Sequence, residues 1–313
     1  MKNYVVTGGA GFIGSALARK LLERGDGRVT VVDNLYSGRM SNLAEIAAQI
    51  EFHKVDIRDY EAIAAIVKGA DTVFHLAAQP SVPRSIQDPV SAHTANIDGT
   101  FNVLLACKDG GVRRYVFAAS SSAYGDTEVL PKVETMPANP KSPYALHKVT
   151  GEQYAKVFHE CWGLETVCLR FFNVFGPRQD PGSPYSGVLS LFMKHLLAGT
   201  TPAIFGDGEQ SRDFTFVDDV TTLIVKAAHA GPQVAGKLYN AGNGGRYTLN
   251  QTWEMLQNIE GVSIPAVYGP ARVGDVRHSQ ADTFKAVAEL AHDPRYSFEQ
   301  GLRETLEWYR HNQ

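Results

Sequence analysis

Tyr144 and Lys148 stand four residues apart, so on a helix both side chains share one face. Pro143 precedes them as a helix start, and Ser120-Ser121-Ser122 lies upstream, after the apolar run Tyr115-Val116-Phe117. A tyrosine, a lysine and a serine so arranged can move a proton. A free phenol has a pKa near 10, about three units too high for a base at neutral pH. Closing that gap takes about 4 kcal/mol of phenolate stabilisation. The Lys148 ammonium and a second positive group nearby would supply it jointly, while Ser120 would hydrogen-bond the substrate hydroxyl and orient it. In a chain with 13 tyrosines such a pair alone says little. Its setting says more, because α/β sheets place their chemistry at the C-terminal ends of parallel strands.

The second positive group is implied by the N-terminus. Tyr4-Val5-Val6 runs into Thr7-Gly8-Gly9-Ala10-Gly11-Phe12-Ile13-Gly14 and then into the helical stretch Ser15–Glu23. Gly8, Gly11 and Gly14 allow a tight turn and a close approach of backbone to a pyrophosphate, which then sits on the N–H groups of the helix N-terminus, by Phe12 and Ile13. Asp33, nineteen residues after Gly14 and followed by Asn34, ends the next apolar run. A carboxylate there accepts both hydroxyls of an adenosine ribose and repels a 2′-phosphate, which favours NAD over NADP. The nicotinamide ring of NAD is the expected second cation.

These residues need a scaffold of alternating strands and helices. The pattern predicts strands at Tyr4–Thr7, Val29–Asp33, Glu51–Lys54, Thr72–Leu76, Arg114–Ala118 and Thr166–Arg170. It predicts helices near Gly14–Arg24, Tyr60–Val67, Thr94–Lys108 and Tyr144–Cys161. The fold class is α/β: a doubly wound parallel Rossmann sheet with a smaller α/β C-terminal substrate domain. After Phe171 the chain turns to Gly- and Pro-rich loops. The expected division is a cofactor domain over 1–172 and a substrate domain over 173–313. Val217–Ala230 and Leu238–Asn240 read as a helix and a strand returning to the first domain, within about 214–245.

Composition bounds the partners. A net charge of −3 over 313 residues offers no broad basic surface for nucleic acid or acidic lipid, so local arginines must hold an anionic substrate. No apolar run approaches the roughly 18 residues that cross a bilayer. The opening Met-Lys leads straight into a strand, which leaves no basic leader, apolar core or cleavage site. Cys107, Cys161 and Cys168 have no paired spacing and read as buried thiols in a reducing cytoplasm. His75 and His147 lack a metal-ligand partner at helical or hairpin spacing, so packing roles are expected and no metal.

Taken together, the Gly8–Gly14 fingerprint, Asp33-Asn34-Leu35, Asp56-Ile57-Arg58-Asp59, His75-Leu76-Ala77-Ala78 and the Ser120 cluster with Tyr124-Gly125 resemble extended short-chain dehydrogenases acting on nucleotide sugars, as does Ser142-Pro143-Tyr144 with Lys148. Arg170-Phe171-Phe172-Asn173-Val174-Phe175-Gly176, Ser211-Arg212-Asp213-Phe214 and Gly274-Asp275-Val276-Arg277-His278-Ser279 are similar to UDP-hexose 4-epimerases. Ser81-Val82-Pro83-Arg84-Ser85-Ile86 and Gln179-Asp180-Pro181 resemble bacterial epimerases for N-acetylated UDP-sugars, UDP-N-acetylglucosamine 4-epimerases in particular.

The resemblance implies roles. Asp56 and Ile57 would meet the adenine, and Ala77 and Ala78 would border the cofactor alongside Tyr144 and Lys148. Asn173, Gly187 and Val188 would cradle the uridine diphosphate, and Phe192 and Phe205 would wall in the uracil. Arg212 and Arg272 would clamp the pyrophosphate, a task suited to forked, permanently charged donors. Asp275 would accept the uridine ribose. Ser279 would border the sugar's C2 substituent, and Ser81, Ser120 and Ser122 would reach the sugar.

The implied reaction is inversion at C4 by a hydride round trip. The Tyr144 phenolate takes the O4 proton as C4 hydride leaves for NAD, the flat 4-keto sugar turns over, and hydride returns to the other face. No net redox occurs, so NAD stays bound. Sugar-nucleotide 4,6-dehydratases need an acidic pair where this chain has Ser121 and Ser122, and decarboxylases of UDP-glucuronate a glutamate in the same loop. Two other readings remain open at this point: an NAD-dependent lyase of either kind, and an NAD-binding regulatory module without chemistry. The apolar helical faces of Ile97, Phe101, Leu104, Leu105 and of Val149, Val157, Phe158 pack partly on the chain's own sheet. By resemblance, the remainder pairs across a two-fold axis into a homodimer.

Overall fold

The computed structural model describes residues 1–180, 187–270 and 276–312. Strands β1 (Lys2–Thr7), β2 (Gly27–Val32), β3 (Glu51–His53), β4 (Thr72–His75), β5 (Arg114–Ser120) and β6 (Glu165–Phe171) are parallel and belong to one sheet. Beyond them come the short β7 (Asn173–Phe175), β8 (Ala203–Phe205), β9 (Ser211–Arg212) and β10 (Phe214–Phe216). The chain then returns as β11 (Lys237–Ala241) and ends its strands with β12 (Tyr247–Thr248) and β13 (Val267–Gly269). The main sheet has seven strands in the order β11-β6-β5-β4-β1-β2-β3. Its order reverses between β1 and β4, and a crevice opens at such a switch point at the C-terminal strand ends.

The helices are α1 (Phe12–Arg24), α2 (Tyr60–Val67), α3 (Val82–Gln87), α4 (Pro89–His93), α5 (Gly99–Asp109), α6 (Pro143–Trp162), α7 (Val188–Leu197), α8 (Val217–His229), α9 (Leu249–Glu260), α10 (Phe284–Leu290) and α11 (Phe298–His311). Strand side chains alternate between faces, and that alternation builds two cores. Tyr4, Val6 and Val116 meet Leu17 and Leu21 of α1 and Leu223 and Ile224 of α8 on one face. Val5, Tyr115 and Phe117 meet Ile63 of α2, Leu104 of α5 and Phe158 of α6 on the other. Helices on both faces make the sheet doubly wound, as the alternating pattern predicts.

A third apolar cluster, around Phe175, Phe192, Trp253, Phe298 and Leu302, lies outside the main sheet. The predicted return of the chain is present: α8 packs against α1, and β11 pairs with β6 in the register Lys237↔Val167. The helical stretch predicted near Thr94–Lys108 is present, as a π-helical turn at Thr94–Asp98 that runs directly into α5. One expectation needs correction. Cys107 and Cys168 are buried, but Cys161 is exposed, because it falls on the outer face of the last turn of α6. Among the described residues, no helix is long and apolar enough to cross a membrane.

Candidate active site

The crevice at the switch point is a cleft of about 1210 Å³. Its floor begins where β1 ends. Gly8 has a φ of 71°, and a Cβ there would fall 2.6 Å from the Ala77 nitrogen. A Cβ on Gly14 would fall 2.2 Å from the Gly8 carbonyl oxygen, so the turn and α1 close on each other only through glycine. Gly11 caps α1 without any side-chain hydrogen bond, which leaves the first N–H groups of the helix facing the cleft for an anion.

Asp33 follows β2 and is 8% exposed at the cleft wall. Its carboxylate accepts from the Ala10 N–H at 3.0 Å and the Leu35 N–H at 2.8 Å. Burial raises its pKa, and those two bonds oppose the rise. A Cβ on Gly38 would come within 2.8 Å of both carboxylate oxygens, so the loop after Asp33 is fitted around the acid. Asn34 donates to Asp56 at 2.8 Å, and Arg58 grips the same carboxylate and holds its pKa well below the usual range. Asp56, Ile57, Ala77 and Ala78 all line the cleft with Phe12 and Ile13.

Tyr144, Lys148 and Ser120 sit at the other end. Ser142 caps α6 by accepting from the Ala145 N–H at 3.2 Å, and Pro143 occupies the first turn. The Tyr144 N–H donates to Ser85 Oγ at 3.1 Å, which fixes the start of the helix against α3. One turn on, Lys148 Nζ donates to the Ala118 carbonyl at 2.7 Å and lies 5.9 Å from the Tyr144 ring centre. Ser120 is next along β5. Its hydroxyl accepts from Ser122 Oγ at 2.8 Å, and it lies near enough to the Tyr144 phenol to lower its pKa.

The electrostatics are those of a dry site. Burial pushes the Tyr144 phenol up, and the Ser120 hydrogen bond only partly opposes it. Burial also brings Lys148 down to about 8. The chain's own groups therefore leave Tyr144 protonated near neutral pH. His75 is a packing residue, as its spacing implied. It is pushed down to about 3 by burial, sits between the hydroxyls of Thr7 and Thr100, and stacks on Phe117.

The substrate residues divide. Asn173 at the start of β7 and Gly187 before α7 line the same cleft as Ser120, Tyr144 and Lys148. Val188 opens α7, and Ser81 caps α3 by accepting from the Arg84 N–H at 3.2 Å. Arg212 in β9 and Ser279 lie side by side through pairing of 277–279 with β9, where the Ser279 N–H donates to the Ser211 carbonyl at 3.0 Å. Phe205, at the end of β8, keeps an exposed ring. Phe192 does not wall the cleft. It is 1% exposed and packs edge-on to Trp253, because its position on α7 faces the third apolar cluster. Arg272 and Asp275 lie outside the described residues.

Several residues at the site carry no obvious sequence signal. Asn96, in the π turn, accepts from the Gln79 N–H at 2.7 Å and returns a bond to its carbonyl at 3.3 Å, which pins the backbone just past Ala78. The cofactor end of the cleft is bridged by charge. Arg178 pairs with Glu45 at 2.7 Å, Arg39 pairs with Asp180, and the Tyr309 hydroxyl of α11 donates to the Gln179 carbonyl. Glu152 and Arg170 form a buried ion pair next to Lys148. A spacing of four from Lys148 could have revealed Glu152.

Known proteins share this architecture. The model of the NAD dependent epimerase/dehydratase family matches residues 4–242. The UDP-glucose 4-epimerase of Mycolicibacterium smegmatis is 39% identical over 310 residues, covering 98% of each chain. The solved structure of UDP-N-acetylglucosamine 4-epimerase from Methanobrevibacter ruminantium, in complex with UDP-N-acetylmuramic acid, aligns with a TM-score of 0.95 at 39% identity, over 100% of this chain and 99% of that one. The UDP-glucose 4-epimerase of Thermus thermophilus, in complex with NAD, aligns at 0.91 and 34% identity, over 99% and 100%. With the glycine turn, the buried acid after β2 and the tyrosine–lysine pair in one cleft, and with likeness along its whole length, the chain belongs to the NAD-dependent epimerase/dehydratase family.

Proposed function

We propose that this chain inverts C4 of a UDP-sugar, interconverting UDP-GlcNAc and UDP-GalNAc and accepting UDP-glucose and UDP-galactose less well or comparably. The observation that carries this reading is the meeting of Tyr144, Ser120 and Lys148 at one end of a cleft whose other end is a glycine cradle. NAD fits that cradle: the backbone approach at Gly8 and Gly14 has no room for a Cβ, and the uncapped start of α1 suits its pyrophosphate. Asp33 suits an unphosphorylated ribose. When bound, NAD supplies the acceptor and donor of hydride.

The chain's own residues handle the proton and the orientation. Ser120 holds the O4 hydroxyl beside Tyr144, which takes the proton as C4 is oxidised and gives it back after the keto sugar turns over. Lys148, held by the Ala118 carbonyl, places its positive charge behind the phenol and favours the phenolate. Ser121 and Ser122 stand where a 4,6-dehydratase would need an acid and a base, so loss of water has no agent in this loop. Asn173 and Gly187 in the cleft, with Arg212 and Phe205 beyond it, are the groups we assign to the uridine diphosphate.

Substrate breadth rests on Ser279. It is 9% exposed and held to β9 by its backbone, and we assign its short side chain to the sugar's C2 substituent, where a tyrosine would crowd an acetamido group. Overpacking a rigid site costs about 1–3 kcal/mol, one to two decades in rate. Incubation with each UDP-sugar and separation of the products is expected to give the C4 epimer at unchanged mass. Ser279→Tyr should lose the N-acetylated pair selectively. A product of lower mass would mean a lyase, and turnover of UDP-glucose and UDP-galactose only would place the size gate elsewhere.

We also infer a homodimer. Leu104 and Phe158 are buried on the chain's own sheet, whereas Phe101, Leu146 and Val157 remain exposed at 36%, 53% and 43% on α5 and α6. A two-fold copy pairing these helices would cover them. Light scattering at micromolar concentration should give twice the chain mass of 34.2 kDa. A clean monomer would count against the contact.

A further inference from the structure

Behind the proton-moving residues lies a buried ion pair that the proposed reaction leaves without a task. Glu152 follows Lys148 by four residues on α6, so Tyr144, Lys148 and Glu152 share one face of the helix. Glu152 is 5% exposed and Arg170, at the end of β6, is 4% exposed. Arg170 grips the carboxylate through Nε at 2.9 Å and Nη2 at 2.8 Å. The guanidinium also lies 4.4 Å over the Tyr124 ring, and the Tyr124 hydroxyl donates to Asn240 of β11 at 2.6 Å. The acid is thus held by Arg170, whose guanidinium is itself seated on Tyr124.

As a source of stability the pair is a poor choice. Removing two charges from water offsets most of their attraction unless every donor is met, and Arg170 Nη1 is buried with no partner among the described residues. An apolar pair of similar volume would fill the space at less cost. The need for a carboxylate comes from Lys148. Its ammonium is 5% exposed and lies 4.9 Å over the Phe117 ring. The titratable groups facing it from β4 and α6 are His75 and His147, both driven toward the neutral form by burial, and the phenol of Tyr144. The opposing negative charge near Lys148 comes from Glu152. One turn along the same helix face, that carboxylate raises the Lys148 pKa against the lowering by burial.

We propose that Glu152, locked by Arg170, is a positioning residue that keeps Lys148 protonated and thereby keeps Tyr144 within reach of its phenolate form. The inference rests on the epimerase reading above for its consequence, but the charge of Lys148 can be read without turnover. The holoenzyme carrying ¹³Cε-labelled lysine would be titrated by NMR, with the Lys148 signal identified by its loss in Lys148→Met, and the pH profile of kcat would be recorded beside it. Glu152→Gln is expected to lower the Lys148 midpoint by about one unit and to move the alkaline fall of kcat down equally, with KM for the UDP-sugar changed less than twofold. Glu152→Asp keeps the charge and should keep the midpoint. If Glu152→Gln does not fold, pairing it with Arg170→Leu removes both charges and should shift the midpoint in the same direction by less. A midpoint that stays put in the variant that folds, with only a lower Tm, makes the pair structural and overturns the inference. A shifted midpoint in a protein that epimerises no UDP-sugar supports the charge role and fails the functional reading alone.

Discussion

Tyr144→Phe is expected to lower turnover of UDP-sugars by two orders of magnitude or more while leaving bound NAD and UDP-sugar affinity close to wild type. The change deletes one oxygen from a half-buried ring whose backbone stays fixed by Ser85, so little packing is lost. In the proposed reaction the deleted oxygen receives the proton, and general acid–base steps contribute about 10²–10⁴ in rate. Burial already disfavours the phenolate here, so no alternative hydroxyl in the same dry setting would ionise more readily. The check is a pair of measurements, the epimerisation rate and calorimetric binding of the UDP-sugar. A variant that keeps more than about a tenth of the rate would show that another group is the base.

Gly14→Ala is expected to strip the purified protein of NAD and to lower its Tm by several degrees. A Cβ at this position meets the Gly8 carbonyl oxygen at 2.2 Å and the Gly9 Cα at 2.7 Å. All of these are backbone atoms of the turn that would cradle the pyrophosphate, so relief requires α1 to move off the turn or the turn to deform. Overpacking of this kind costs about 1–3 kcal/mol, and in a chain of this size each kcal/mol moves Tm by about 2–4 °C. Gly11→Ala is the control for the melt alone, since its Cβ would lie 3.1 Å from the same carbonyl and asks for only a small adjustment of the fold. Absorbance of released cofactor and a thermal melt give both readings. Full NAD occupancy in Gly14→Ala would contradict the close approach described here.

The parts legible in the sequence share one property: they depend on neighbours close in the chain. The glycine turn, Asp33 after β2 and the Tyr144–Lys148 spacing are local patterns, and each lines the same cleft. Even the return of α8 and β11 to the sheet was readable, because apolar periodicity survives a long detour. Residues that act through distant partners were not legible. Phe192 has the right type for a base-stacking wall, but only the packing of α7 on Trp253 decides which way its ring points. The π turn at Thr94–Asp98 carries Asn96, which bonds the Gln79 backbone, a contact across seventeen residues with no local trace. Arg178 and Glu45 are ordinary surface residue types, and their pairing exists only because two loops cross at the cleft.

The late arrival of β11 has a consequence for how the molecule is made. This edge strand joins β6 only after the chain has built β7 to β10 and α7 and α8, and Lys237 pairs with Val167 across seventy positions. The sheet that bears the cofactor cradle is therefore incomplete during synthesis until the outer segment has emerged and folded back. Asn240 then ties the strand to the Lys132 and Asp282 carbonyls, which extends the dependence to still later sequence. High contact order of this kind slows folding and leaves the β6 edge open to wrong partners meanwhile. The two halves cannot be exchanged between relatives like beads on a string, since a graft that ends at the first six strands would carry an unpaired edge and a cleft lacking the wall that Asn173, Gly187 and Tyr309 supply.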